Sequence, residues 1–151
     1  PRALPAEELV ALDRWVRDGG RLMLLADPML EWRSERPLGD PLRPPIMFGD
    51  TGLLAHWGLR LDAPDERGPV RAKIEGRDLS FASPGALVKQ GGSCTVSAPP
   101  IVATCAIGKG RATIVADADW LNQELVADGG GDPAMQVGQL IEWIESLRRD
   151  S

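Results

Sequence analysis

Hydrophobic positions along the chain change period several times, and each change marks an element. From Leu4 to Arg17, Leu9, Leu12 and Val16 fall on one face at helical spacing. Pro5 suits the first helical position, and Glu7 and Glu8 sit where the macrodipole favours acids. Gly19-Gly20 ends this helix. Leu22-Met23-Leu24-Leu25-Ala26 is then uniformly apolar and short, the pattern of a strand covered on both faces. Helix, glycine stop and buried strand make half of a βαβ unit.

The pattern breaks over residues 28–48, where Pro28, Pro37, Pro41, Pro44 and Pro45 alternate with Arg33, Arg36 and Arg43. Such a stretch resists both helix and sheet, and its length exceeds ordinary connections, so it reads as a loop excursion. Trp32, Ile46 and Phe48 are the residues expected to pin it to the domain. Asp50 is placed to cap a short helix through Leu53, Leu54 and Trp57, stopped by Gly58, with a strand near Leu59 to Leu61.

Residues 63–69 carry turn chemistry, and Val70 to Ile74 with Leu79 to Ala82 predict a hairpin linked by Glu75-Gly76-Arg77-Asp78. Two further strands are expected at Ser93 to Ser97 and Ile101 to Ile107. Gly108-Lys109-Gly110 then turns the chain into Arg111 to Ala116. After Gly129-Gly130-Gly131, Asp132 caps and Pro133 opens a terminal helix whose expected buried stripe is Val137, Leu140, Ile141, Ile144 and Leu147.

At 151 residues, 43% hydrophobic and 26% charged, the chain fits one compact α/β domain. Its net charge of −5 and its basic residues scattered among acids argue against nucleic acid as a partner. There is no apolar run of about 18 residues to span a bilayer. The start at Pro1, entering a helix with no preceding strand, reads as a piece of a longer protein. Cys94 and Cys105 read first as two buried small hydrophobes, since unpaired cysteine is among the most buried residue types. A bridge between them would fit an oxidising compartment.

The strand ending Ile114-Val115-Ala116 stops on Asp117 and Asp119, and Asp27 ends the earlier strand in the same way. Ligands gather beyond the carboxyl ends of strands in open α/β sheets, so three acids there are candidates to hold a divalent cation or act as acid and base. The commoner use of Asp after a strand is to cap the following turn, here through Trp120 and Leu121. The usual catalytic companions are missing. Gly92-Ser93-Cys94-Thr95-Val96 lacks the second glycine of a nucleophile elbow, and Cys105 lies inside an apolar run. His56 is the only histidine, beside Trp57 on a short helix, and reads as packing or capping. Gly108-Lys109-Gly110 joins two strand-like runs and so reads as a hairpin turn instead of a phosphate cradle. Trp32 and Trp120 are the candidate stacking surfaces for a sugar or peptide.

Leu4 to Leu22 followed by Asp27-Pro28, the segment Leu53-Leu54-Ala55-His56-Trp57-Gly58-Leu59-Arg60-Leu61, and Gly108 to Asn122 together resemble the GldG-like auxiliary component of gliding-motility and uncharacterised ABC-type transport systems. The resemblance implies an open, mainly parallel sheet flanked by helices, of the class I glutamine amidotransferase-like or flavodoxin-like kind. A first βα unit would normally precede the Leu4 helix, and its absence would bare a strand edge open to pairing between copies. It further implies a non-catalytic binding or assembly domain held at the extracytoplasmic, periplasmic face of the membrane, with ABC permease and ATPase subunits as partners. No catalytic residue, metal or cofactor follows from it. Candidate ligand contacts are Asp27, Trp32, Asp117, Asp119 and Trp120. The competing reading is a metal-dependent hydrolase using Asp27, Asp117 and Asp119.

Overall fold

A computed structural model of the chain describes residues 3–149. Pro1, Arg2 and Asp150, which entered the reading of the termini and of the charge distribution, lie outside the described residues.

The first helix, α1 (Ala6–Arg17), forms where expected, with Pro5 at its N-cap and Val16 buried. Gly19, at φ +123°, reverses the chain into strand β1 (Arg21–Leu25). The remaining elements are α2 (Leu53–His56), β2 (Leu59–Asp62), β3 (Pro69–Ile74), β4 (Arg77–Ala82), β5 (Ala86–Lys89), β6 (Cys94–Val96), β7 (Val102–Ile107), β8 (Gly110–Val115), a 3-10 turn at Asp119–Leu121, α3 (Gln123–Asp128) and α4 (Pro133–Arg148).

The central sheet has the order β1-β8-β7-β6, and only β1 with β8 is parallel. Two separate antiparallel pairs, β2 with β5 and β3 with β4, complete the strands. The expectation of an open, mainly parallel, amidotransferase-like or flavodoxin-like sheet is therefore corrected. The reason lies in the connections. A parallel pair needs a crossover of about a dozen residues or more, whereas tight turns force antiparallel neighbours. Gly108-Lys109 and the Ser97 to Ile101 turn are both too short for a crossover, so β6, β7 and β8 form a meander.

Helices cover both faces of this sheet. Val16, Leu53, Leu54 and Trp57 from the α1 and α2 side pack with Leu24, Cys94, Ala103, Cys105, Ala112 and Ile114. On the other face, Trp120 and Trp143 pack with Val102, Val115, Ile74, Leu79 and Phe81. The Gly108-Lys109-Gly110 turn is pressed against the end of α1: Lys109 N–H donates to Arg17 O at 2.9 Å, and a Cβ on Gly110 would lie 1.9 Å from Val16 O. Glycine is required there by contact with backbone, which fixes the hairpin beneath the helix.

Four details depart from the sequence pattern. The β3–β4 link is only Glu75-Gly76, both at positive φ (50° and 84°), so Arg77 and Asp78 belong to the strand, as in a two-residue type I′ turn. Cys94 and Cys105 are not two unpaired hydrophobes. They face each other in register across β6 and β7 and form a disulfide. Of the expected loop pins, Phe48 packs against the core, but Trp32 and Ile46 are exposed. Finally, α4 is rotated partly away from its expected orientation. Leu147 is buried and Leu140 packs against the core as expected, but Gln136, Gln139 and Trp143 share the inner face with them, while Val137, Ile141 and Ile144 stand 46%, 51% and 43% exposed.

The buried glutamines explain that rotation. Gln136 Nε2 donates to Ser80 O and Trp120 O, and its Oε1 accepts from Ser80 N–H. Gln139 Nε2 and Trp143 Nε1 both donate to Glu75 Oε2. The Gln136 bonds satisfy backbone groups of Ser80 in β4 and of Trp120, which an apolar face turned inward would strand, and those of Gln139 and Trp143 hold the Glu75 carboxylate at the β3–β4 turn.

Candidate functional site: a buried triad of aspartates

Parallel register brings the three acids together. Leu25 of β1 lies beside Val115 of β8, so two residues further on, past both strand ends, Asp27 meets Asp117, and the 3-10 turn folds Asp119 back onto them. One carboxylate oxygen from each lies within 4.8 Å of the other two, and all three residues are buried.

Every carboxylate oxygen of the triad accepts a backbone N–H. Asp27 takes Met29 and Ala118 (2.8 and 2.9 Å). Asp119 takes Glu31 and Trp32 (2.5 and 3.1 Å). Asp117 takes Ala82 and Trp120 (2.7 and 3.2 Å), the second being the capping contact its position suggests. The cluster thus ties together the start of the 28–48 loop, the end of β4 and the turn after β8.

Concentrating three carboxylates raises their proton affinity. Burial pushes Asp117 well above the usual carboxylate range, against the Ala82 N–H, and the charges of Asp27 and Asp119 add to the rise. Asp119 is pushed up to about 6, chiefly by burial and opposed by the Glu31 N–H. Asp27 is raised by burial, opposed by the N–H groups of Ala118 and Met29. Three oxygen donors at this separation form a donor set of the kind hard divalent cations take. Their oxygens are, however, already engaged by amides.

The other candidates are dispersed. Trp120 is fully buried, 6.4 Å from the Phe81 ring and 5.1 Å from the Trp143 ring, so it is corrected from a stacking surface to a core residue. Trp32 is 45% exposed and remains accessible. His56 lies on the α1 side of the sheet, with Nε2 3.1 Å from an Arg17 nitrogen and 3.5 Å from Asp13 Oδ2.

Two residues the sequence did not single out join the triad's surroundings. Glu31 accepts from the Ser83 hydroxyl at 2.6 Å, and Ser83 Oγ in turn accepts from Gly68 N–H. Ser83 has φ +50°, an unusual backbone for a residue with a side chain, and nothing in its sequence context signals that. Beside them lies an open cleft of about 610 Å³ lined by Glu31, Arg33, Arg67, Ala82 and Asp128, with acids and bases mixed along it.

No family model matches the chain, and no curated protein matches it. Solved structures do. An exo-β-1,4-mannosidase, Op5Man5 from Opitutaceae bacterium strain TAV5, matches over 92% of this chain and 23% of its own at 13% identity, with a TM-score of 0.54. Gan42B, a GH42 β-galactosidase, matches over 97% of this chain and 20% of its own at 17% identity, with a TM-score of 0.56. The chain thus spans about a fifth of the length of these structures, and at such identities the likeness is one of fold. The expectation of a non-catalytic domain is corrected to this extent: the fold is one that glycosidase chains carry.

Proposed function

We propose that the chain is a binding and assembly domain of a larger extracytoplasmic protein, in the transport-system setting that the GldG-like resemblance implies. The observation that carries the reading is the orientation of α4. Its inner face is held by Gln136 and Gln139, and Val137, Ile141 and Ile144 are left toward solvent at one flank. Contiguous exposed apolar residues of this kind are the surfaces that contact sites are built from. The Cys94–Cys105 bridge supports an oxidising compartment, since such bonds persist outside the reducing cytosol.

Under this reading the aspartate triad is structural: it clamps the 28–48 loop beside the sheet and keeps the cleft at Glu31 and Arg67 in shape. The test is co-purification of the tagged full-length protein with ABC permease and ATPase subunits from its own membranes, repeated with Ile141→Glu. Loss of both subunits in the variant is expected. Co-purification with neither subunit in the unaltered protein refutes the transport setting.

The fold matches favour a second setting, in which the same domain is one segment of a carbohydrate-active enzyme chain. Turnover of nitrophenyl β-galactoside or β-mannoside by the full-length protein, together with failure to bring down transport subunits, would select it.

A further inference from the structure

One face of the central sheet changes character along its strands. Toward the carboxyl end of β8 it is apolar: Val115 lies beside Val102 of β7, and both belong to the core under Trp120 and Trp143. Two residues earlier on β8, on the same face by strand alternation, stands Thr113. The register sets Thr95, Thr104 and Thr113 in one row across β6, β7 and β8. Two residues earlier again, Arg111 lies beside Ala106 of β7 on one side and Arg21 of β1 on the other. Helix α4 packs over β1 and β8, and its last turn closes one side of this region with Ser146 and Leu147. The result is an open hollow of about 250 Å³ whose polar lining is Ser93, the three threonines, Arg111 and Ser146.

The hydrogen-bonding capacity of this hollow is one-sided. Thr113 lines it while only 1% exposed, yet among the described residues no hydrogen bond engages its hydroxyl, nor those of Thr95 and Thr104. A buried hydroxyl without a partner is uncommon, because nothing offsets its removal from water. Arg111 is half-buried and has neither an ion pair nor a side-chain hydrogen bond among the described residues. Its neighbour in register, Arg21, is held by Gly19 O and Lys109 O, so two arginines stand on strands about 4.8 Å apart. Like charges so placed repel, and no carboxylate lines the hollow to offset them. Ser93 and Ser146 give their own protons to Ala106 O and Trp143 O. What the hollow still offers is donors, from Arg111 and the threonines.

The geometry points to a binding site for a tetrahedral oxyanion, a phosphate or sulfate group, held by the Arg111 guanidinium and the hydroxyls of Thr104 and Thr113. A guanidinium presents a planar fork that matches two oxygens of such a group, and each threonine hydroxyl is free to donate to a further one. An anion bound there also relieves the repulsion between Arg111 and Arg21. The hollow is open and larger than a bare ion, so it admits the carrier of an ester as well as free phosphate. This inference goes beyond the assembly reading and does not draw on it, since Val137, Ile141 and Ile144 do not line the hollow.

Amide-resolved NMR titration of the isotope-labelled 151-residue chain tests this, with inorganic phosphate, sulfate and glycerol 3-phosphate each raised to about 20 mM at constant ionic strength in chloride. Saturating shifts are expected at Thr104, Arg111 and Thr113, with half-saturation at about 1 mM or below, as suits a few charge-assisted contacts. Arg111→Gln should raise that midpoint at least tenfold. Thr113→Val, which keeps the shape and removes the hydroxyl, should raise it at least threefold. Lys89→Gln, at an exposed cation on β5, should leave it unchanged. Far-UV circular dichroism confirms that each variant folds. Tighter binding of glycerol 3-phosphate than of phosphate assigns a phosphate monoester, tighter binding of sulfate a sulfated ligand, and equal binding of the two phosphates the free ion. Shifts that stay linear to the end of the titration, shifts centred on other residues such as Arg33 and Arg67, or a midpoint unaltered in Arg111→Gln or in Thr113→Val overturn the inference. Any of those results leaves the co-purification test of the assembly reading untouched.

Discussion

Opening the Cys94–Cys105 bridge is expected to cost a definite amount of stability. The two cysteines are 11 positions apart, so the bond closes a short loop spanning β6, the following turn and the middle of β7. In the chain-entropy account, a loop of about 12 residues constrains the unfolded chain by about 3 kcal/mol. For a chain of this size each kilocalorie moves the thermal midpoint by about 2–4 °C, so reduction should lower it by about 6–12 °C. The bond is buried, with Cys94 fully enclosed and Cys105 3% exposed, so reduction requires denaturant followed by refolding in reductant. The double variant Cys94→Ala, Cys105→Ala offers a second route. Far-UV circular dichroism against temperature supplies the midpoints, and amide exchange should place the loss in β6, a three-residue edge strand with β7 as its only sheet partner among the described residues, while the hairpin-closed β7–β8 ladder holds. A reduced chain melting within about 2 °C of the oxidised one would refute the reasoning, because the β6–β7 ladder would then be sufficient by itself.

Other consequences concern the triad. Asp119→Ala removes the acceptor of Glu31 and Trp32 N–H and should loosen the 28–48 loop, speeding tryptic cleavage after Arg33 at least tenfold, Arg36 and Arg43 being shielded by the prolines that follow them, while the melting midpoint falls by a few degrees; unchanged cleavage would mean that the loop is held elsewhere. The triad also predicts a pH dependence with a definite sign. All three folded-state affinities for protons are raised above the ordinary Asp value of 3.8, with Asp119 at about 6, so the native state binds more protons than the unfolded chain through that interval. Their contribution to stability is full below the unfolded value and is lost as pH rises through the folded one, so urea midpoints should fall between pH 5 and pH 7. Asp117→Asn should flatten that fall, and a midpoint that rises over the interval in the unaltered chain would contradict the assignment.

How much of this was legible beforehand follows from the range of the interactions. Helix α1, strand β1, the β3–β4 hairpin and the Gly108-Lys109 turn announce themselves because their signals are local: helical spacing, a glycine stop, a polar glycine-containing link between apolar runs. Strand β5, at Ala86–Lys89, is bracketed by Pro84-Gly85 and Gly91-Gly92, but four residues are too few to show a period, and they become a strand only through β2. Helix α3 shows no period in the sequence because it has only six residues, although Asn122 caps it by accepting Glu124 and Leu125 N–H.

The sequence alone determined a globular chain with acids at the ends of two strands, a proline-broken excursion after the first, and helices ready to cover a sheet. Those properties reside in composition and in neighbours a few positions apart. Only the tertiary structure decided that the sheet is mostly antiparallel, that the cysteines meet in register, that Trp120 belongs to the core and that the three aspartates spend their oxygens on loop amides. It also rotated α4 part of a turn about its axis. A count of apolar residues assigns Val137, Ile141 and Ile144 to the interior, but the facing strand presents backbone groups that must be hydrogen-bonded, and glutamine meets that demand where isoleucine cannot.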